Sequence, residues 1–353
     1  MKLIDRYEAW WRGELSGRPL MYVVARPEER TAPRPATPEI YHADPDELLR
    51  RHLFTTVNDR FLGDAFNSIR CDLGPGSLAL YLGAEPVFTW ETVWYKECIE
   101  DLEAYPPLRF DPDNRWWRHH VDLLKAVQAG ARGRFRVDIP DLIENIDIYS
   151  AMRGVQQSLF DLMDDPELVA GRIHEIDNAY FAYYDRLYDL LKDPDGVSSY
   201  TAFHIMGRGR VAKVQCDFSA MISPEQYREF IQPSLKKQVA RLDHSLYHLD
   251  GPDAIRHVPA IMELEDLDAL QWTCGAGHPD GGCPRWRPIY DAATKAGKSL
   301  WLQIYDGGVD EWIRSCESLI ERYGKSHLYF VYPVMGEADA DHLMNHAEKY
   351  WTA

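Results

Sequence analysis

From about residue 130 onward, short apolar segments alternate with amphipathic ones. The apolar segments have the composition of β-strands, and the segments between them space apolar residues by three and four, as α-helices do. Successive units follow at roughly 25–40 residues, and such alternation favours parallel βα units. We therefore predict an α/β protein built as a TIM-type (β/α)8 barrel. An open doubly wound sheet is the main alternative, although no G-x-G-x-x-G follows the first strand.

The predicted strands share apolar interiors and polar or turn-forming ends. They are LMYVVAR (20–26), FRVDIP (135–140), GVSSYTAFHIM (196–206), HSLYHLDG (244–251), LDALQWTCG (267–275), SLWLQIYDG (299–307) and HLYFVYP (327–333). The segments between these strands have the apolar spacing and capping residues of helices. Residues 148–191 are expected to be helical with a break at Asp165-Pro166, and Ser223 and Gln226 form a capping box at the start of another helix.

Residues 30–130 depart from this alternation. A Pro-rich stretch, RPEERTAPRPATPE (26–39), follows the first strand. Residues 44–62 then have the spacing of a helix, and EPVFTWETVWYKE (85–97) alternates as a hairpin does. We expect one barrel domain over residues 1–353, with about 30–130 forming an N-terminal helical elaboration inserted after the first strand.

The charge balance excludes several classes of partner. The net charge is −17, which gives a nucleic acid or an anionic membrane no broad electrostatic attraction. The N-terminal segment has acidic residues from Asp5 onward and lacks the apolar core of a secretory signal. No apolar run approaches the roughly 20 residues of a membrane-spanning helix. We expect a cytoplasmic protein whose six cysteines are reduced.

Polar and aromatic side chains gather at the ends of the predicted strands. Reactive groups of a TIM barrel stand at the carboxyl ends of its strands, so these side chains are expected to line one pocket. The candidate substrate contacts are Tyr200, His204, Gln271, Trp272, Tyr305 and Tyr332.

His248 and Asp250 are the sharpest pair at a strand end. Side chains two apart on a strand project from one face, with Cβ atoms about 6.5–7 Å apart. Both can reach one metal ion or one substrate group, as ligands or as a general acid and base. The alternative is that Asp250 caps the following helix while His248 belongs to the core.

Three other residues are candidates for the same site. Cys274 begins a C-x3-H-x4-C pattern that is only half a zinc knuckle, and it could instead join His248 and Asp250 as a metal ligand. Asp217 either turns into the pocket as a catalytic group or bonds loop amides. Arg153 is expected to begin a helix, where a cation is disfavoured and requires a carboxylate partner in the substrate or in the protein.

The stretch VQCDFSAMISPEQYREFIQPSLKKQVARLDHSLYHLDGPDAIRH, followed by LDALQWTCGAG, WRPIY and AGK, resembles the uroporphyrinogen decarboxylase superfamily. Within that superfamily it is similar to the branch related to corrinoid and zinc methyltransferases. DLGPGSLALYLGAE and MRGVQQSLFDLMDDPELV add to the resemblance, which covers roughly residues 45–350. It implies a TIM-type barrel with an N-terminal elaboration, and a homodimer.

The resemblance also implies where the chemistry differs. RPLMYVVARPEER (18–30) lacks the Arg-rich segment of true uroporphyrinogen decarboxylases, so the haem pathway is not expected. The zinc methyltransferases have cysteines where this chain has Asp250 and Tyr332. A harder site of His248 and Asp250, with or without Cys274, suits zinc or another divalent ion.

Three functions follow as hypotheses. The first is a methyltransferase acting on a small methylated molecule or a corrinoid-bound methyl group, with the corrinoid on a partner protein because no D-x-H-x-x-G occurs here. The second is a metal-independent decarboxylase, in which Asp217 or Asp250 stabilises developing charge and Arg153 binds a carboxylate. The third is a barrel that binds a ligand without turnover or serves as an assembly partner.

Overall fold

A mostly parallel sheet forms the centre of the fold. The computed structural model describes residues 2–200 and 202–352. The strands within these ranges are β1 (Leu20–Ala25), β2 (Arg60–Gly63), β3 (Ser68–Ile69), β4 (Glu85–Phe88), β5 (Val93–Lys96), β6 (Arg136–Val137), β7 (Val197–Tyr200), β8 (Ile205–Arg208), β9 (Val211–Gln215), β10 (His244–Asp250), β11 (Ala269–Thr273), β12 (Ser299–Gln303) and β13 (Leu328–Val331).

Seven strands pair in the order β2-β1-β13-β12-β11-β10-β9. Every pair is parallel except β1 with β2. Outside this sheet, β3 and β6 form a separate parallel pair, and Ile139 forms a parallel bridge with Tyr200 of β7. The prediction of an α/β fold with a parallel sheet is confirmed and is consistent with a TIM-type barrel. No closed ladder of hydrogen bonds runs through the described strands.

Helices follow the strands and cover the sheet. They are α1 (Leu3–Trp11), α2 (Pro38–Ala43), α3 (Pro45–Thr56), α4 (Leu78–Tyr81), α5 (Arg115–Ala131), α6 (Asn145–Arg153), α7 (Val155–Asp164), α8 (Pro166–Leu191), α9 (Pro224–Gln226), α10 (Gln232–Val239), α11 (Val258–Met262), α12 (Arg287–Lys295), α13 (Val309–Tyr323) and α14 (Glu337–Tyr350). No helix within 2–200 or 202–352 is long and apolar enough to span a bilayer.

Helix α1 packs against the start of β13. The Tyr7 hydroxyl lies 2.9 Å from that of Tyr329, and Trp10 Nε1 donates to the His327 carbonyl at 3.1 Å. All three aromatic residues of α1, Tyr7, Trp10 and Trp11, are buried, so the helix closes the amino end of this strand and leaves the carboxyl ends accessible.

The structure confirms two helix boundaries that were predicted from the sequence. Ser223 and Gln226 form the capping box of α9, and α8 begins at Pro166 after the predicted break. The helical segment has a second break at Gly154, whose φ of 89° favours glycine. The helix predicted from 148 therefore consists of α6, α7 and α8.

One predicted strand is wrong. GVSSYTAFHIM forms the antiparallel hairpin β7–β8, with Tyr200 opposite Ile205. The chain reverses at His204, which adopts a left-handed φ of 50°. His204 supplies the positive φ that glycine or asparagine usually provides, so the sequence shows no ordinary turn signal.

Candidate functional site

Polar side chains of β9, β10 and β11 form one continuous group. Gln215 is opposite His248 in the β9–β10 pairing, and His248 is opposite Gln271 in the β10–β11 pairing. Side chains alternate along a strand, so Asp217 and Asp250 stand one layer nearer the carboxyl ends. The fold therefore brings the predicted pair together with Asp217 at the end of the sheet.

Asp217, His248 and Asp250 offer three ligand atoms within 4.8 Å of one another. His248 Nε2 lies 3.9 Å from Asp250 Oδ2. The following 3-10 helix has Gly251 at its amino end and no side-chain cap, so Asp250 does not act as its capping residue. Two carboxylates and one imidazole facing a common space form an arrangement suited to a divalent ion.

Gln271 orients the imidazole of His248. Its Oε1 pairs with His248 Nδ1, while its Nε2 donates to Thr273 Oγ1 at 2.9 Å. The bond to Thr273 places the amide oxygen toward the ring, so Nδ1 carries the proton and Nε2 presents its lone pair to the two carboxylates. Burial, reinforced by the Lys213 charge, lowers the pKa of His248 and favours the neutral form that binds metals.

Replacing Gln271 with leucine is expected to weaken metal binding. The change removes the acceptor that holds the ring, and loss of such an outer contact lowers metal affinity roughly 10–100-fold. Calorimetric titration with Zn²⁺ measures the effect, and Gln303→Leu, at the exposed end of β12, is the matched control. Equal affinities in the two variants would contradict this role.

Asp217 lies in an acidic environment. Burial raises the pKa of Asp217, the charge of Asp250 raises it further, and Lys213 acts in the opposite direction. Asp147 accepts hydrogen bonds from the backbone amides of Asp217 and Phe218 at 2.8 and 2.9 Å. Asp147 therefore satisfies the loop amides, and the Asp217 carboxylate is left to face the site.

Lys213 forms a buried ion pair beneath these groups. Its Nζ lies 2.9 Å from Asp141 Oδ1 and also donates to Gln215 Oε1. Tyr200 donates to Asp141 Oδ1 at 2.6 Å. Burial alone would raise the pKa of Asp141, but Lys213 and Tyr200 outweigh it and the pKa is lowered. The Asp141 carboxyl is therefore held in its ionised form beneath the site.

A cavity of about 550 Å³ opens above this ion pair. Lys213, Asp217 and His248 line one side. The N-terminal segment supplies the other side, including Arg51 and Arg70. Arg70 pairs with Asp72, and the Arg51 guanidinium lies 3.5 Å from the centroid of the Tyr41 ring. The cavity therefore combines two of the three candidate metal ligands, Asp217 and His248, with two guanidinium groups.

Two predicted substrate contacts lie deeper than expected. Tyr200 is buried and donates to Asp141. His204 stacks on Tyr22 at 4.0 Å, and its carbonyl accepts the hydroxyl of Tyr329 at 2.7 Å. Neither residue lines the 550 Å³ cavity. Tyr200 contacts it only indirectly, through its hydrogen bond to Asp141, which does line the cavity.

A neighbouring cavity of about 370 Å³ contains four other predicted residues. It is lined by Asp250, Trp272, Thr273, Cys274, Gly275, Ala276, Gln303 and Tyr305. Asp250 thus borders this space as well as the metal group. Cys274 does not belong to the cluster of close donor atoms found in the described residues, and burial raises the pKa of its thiol to about 12.

Tyr332 and Arg153 face other parts of the protein. The Tyr332 hydroxyl lies 3.2 Å from Cys316 Sγ, between β13 and α13, and Tyr332 lines neither cavity. Arg153 ends α6, so the expectation that it begins a helix is wrong. Its carboxylate partner is Asp161 of the protein, at 2.8 Å.

Lys213, Asp141, Asp147 and Arg70 were not predicted from the sequence. A signal for Lys213 exists in VAKVQCD, where Lys213, Gln215 and Asp217 alternate with Val214 and Cys216 and so share one face. Asp141 and Asp147 lie in a segment with no such period. Their positions depend on the packing of α6 beside β9.

The fold is similar to that of a methyltransferase from Methanosarcina mazei. The two chains share 11% identity with a TM-score of 0.66, and the alignment covers 99% of each. At this identity the likeness shows a common fold. No protein-family model matches the chain, and no curated protein matches it. The superfamily resemblance of the sequence is therefore supported at the level of a methyltransferase-like fold only.

Proposed function

We propose that this protein is a methyltransferase with a divalent metal at Asp217, His248 and Asp250. The observation that carries the proposal is the convergence of three donor atoms within 4.8 Å, with Gln271 setting the imidazole tautomer. Two carboxylates and an imidazole fit zinc or another borderline or hard ion. Such an ion would act as a Lewis acid toward the methyl acceptor. The fold shared with a methyltransferase supports the same reaction class.

Residues around the three ligands have separate roles in this proposal. Lys213 keeps Asp141 ionised beneath the site, while Asp147 holds the loop that carries Asp217. Arg51 and Arg70 line the same cavity as Asp217 and His248 and would orient an anionic portion of the substrate. The methylated substrate would be a small molecule, or a corrinoid carried by a partner protein.

The proposal leaves Cys274 out of the metal site, and it does not use Tyr200, His204, Tyr332 or Arg153 as substrate contacts. Cys274 and Tyr305 would instead contact the substrate from the adjoining cavity. We further propose a single domain over residues 1–353, a homodimer, a cytoplasmic location, and no nucleic-acid or membrane partner.

A second candidate is metal-independent decarboxylation of a small carboxylated substrate. The observation in its favour is the pair of guanidinium groups in the cavity, since such groups bind carboxylates. Asp217, whose pKa is raised chiefly by burial, would act as the acid. Arg153 has no part in it because Arg153 pairs with Asp161 outside the 550 Å³ cavity.

Metal dependence distinguishes the two functions. Protein stripped with a chelator is compared with protein restored with Zn²⁺, Co²⁺ or Mn²⁺, using methylcobalamin with thiol and amine acceptors. The methyltransferase proposal expects methyl transfer only after metal is restored. Equal methyl transfer by the stripped protein would contradict the metal site. Release of CO₂ from carboxylated substrates by the stripped protein would establish the second candidate.

A further inference from the structure

A second cavity lies on the outer side of the sheet, between α8 and α10. Its volume is about 330 Å³, which corresponds to roughly ten water molecules at about 30 Å³ each. It is lined by Glu144, His174, Asp177, Asn178, Tyr180, Phe181, Ser234, Lys237, Gln238 and Arg241. None of these residues lines the cavities at the carboxyl ends of the strands.

The floor of this cavity contains a buried carboxyl oxygen that lacks a partner. Glu144 is 1% exposed, and its Oε1 accepts the Gln215 amide at 2.6 Å. Its Oε2 has no hydrogen-bond partner among the described residues. Gln238 is 5% exposed, and its amide interacts with the Tyr180 hydroxyl but makes no hydrogen bond of ordinary length and angle within the described part of the chain. Buried polar atoms are rarely left in this state, so the cavity favours a polar occupant.

The lining changes in character from floor to rim. Glu144, Gln238 and the rings of Tyr180 and Phe181 are buried. Asp177 is half-buried and accepts the Ser234 hydroxyl at 2.6 Å. The exposed residues at the rim are His174, Asn178, Lys237 and Arg241. Acidic and amide groups therefore lie deep, an aromatic wall stands beside them, and cationic groups surround the opening.

We propose that this cavity binds a small zwitterion of amino-acid type with an apolar side chain. The ammonium group would donate to Glu144 Oε2 and to the Gln238 amide oxygen, while the carboxylate would face Lys237 and Arg241. The apolar side chain would pack on Tyr180 and Phe181. This site is separate from the proposed metal site, so its test does not depend on the proposed function.

Three probes separate the two ends of the ligand. L-leucine carries both charges, isopentylamine lacks the carboxylate, and 4-methylpentanoate lacks the amine. Calorimetric titration of the full-length protein is expected to show binding of L-leucine, with each truncated probe weaker by about tenfold or more, because each loses a charge-assisted contact. Absence of heat from all three probes would overturn the proposal, as would equal affinity for L-leucine and 4-methylpentanoate.

Two variants test which residues bind the ammonium end and which bind the carboxylate end of the ligand. Burial raises the pKa of the Glu144 carboxyl to about 8, and a bound ammonium group would favour its ionised form. Glu144→Gln retains an acceptor for the Gln215 backbone N–H and cannot ionise, so it should weaken the binding of L-leucine and isopentylamine about tenfold and leave that of 4-methylpentanoate unchanged. Lys237→Ala, at an exposed position on the cavity rim, should instead weaken the binding of L-leucine and 4-methylpentanoate. Lys236→Ala, exposed on the same helix and outside the cavity, is the matched control. Unchanged L-leucine affinity in both Glu144→Gln and Lys237→Ala would reject the site.

Discussion

Replacing His248 with alanine is expected to reduce bound divalent metal from about one equivalent to less than about a tenth, because three protein ligands define such a site. His248 supplies the only nitrogen donor of the described cluster, and its neutral ring is already oriented by Gln271. Asp217→Asn and Asp250→Asn should each weaken binding by removing a negatively charged ligand while preserving shape. Elemental analysis after dialysis, with calorimetric titration of Zn²⁺, measures all three.

The matched control for these variants is Asp253→Asn. Asp253 is exposed on the 3-10 helix that follows β10 and stands outside the donor cluster. It should keep the full metal content. Equal metal content in His248→Ala and Asp253→Asn would show that the ion binds elsewhere on the protein.

The second large effect concerns stability. Lys213→Met should lower the free energy of unfolding by about 3–5 kcal/mol, because it leaves the buried carboxylate of Asp141 without its charge partner. Lys213 is 2% exposed and Asp141 4% exposed, so the carboxylate has little contact with water to compensate for the lost charge. Urea denaturation followed by circular dichroism measures the loss.

A double variant isolates the ion pair. Asp141→Asn keeps an acceptor for the Tyr200 hydroxyl and removes the charge, so adding it to Lys213→Met should recover part of the lost stability. Two results would contradict this role of the ion pair. One is a Lys213→Met variant whose urea midpoint equals that of the wild type. The other is a double variant whose loss of unfolding free energy equals the sum of the losses in the two single variants.

The parts of the site that could be predicted lie on regular strands. His248, Asp250 and Gln271 follow from period-two alternation and from the rule that active groups stand at strand ends, and the structure brings the first two into one cluster. The register between strands determines which side chains become neighbours. Because β10 pairs with β9 and β11, Gln215, His248 and Gln271 share one layer. Neither neighbour nor register can be read from one strand alone.

The predictions that failed depended on geometry that single-strand patterns do not contain. Apolar composition made 196–206 look like one strand, yet the left-handed backbone of His204 folds it into a hairpin. The break at Gly154 moved Arg153 to the end of a helix, where Asp161 neutralises it. Tyr332 follows a buried strand, but its side chain faces α13 rather than the cavities. Tertiary packing decides each of these outcomes.

Anomalous X-ray diffraction from crystals of the protein loaded with Zn²⁺ tests the central claim most directly. Data collected on either side of the zinc absorption edge locate the ion without reference to activity. We expect one strong peak within bonding distance of Asp217, His248 Nε2 and Asp250, at about 2.0–2.2 Å from each ligand atom. A peak confined to Cys274, or no peak beside His248 in fully loaded crystals, would contradict the proposed metal site.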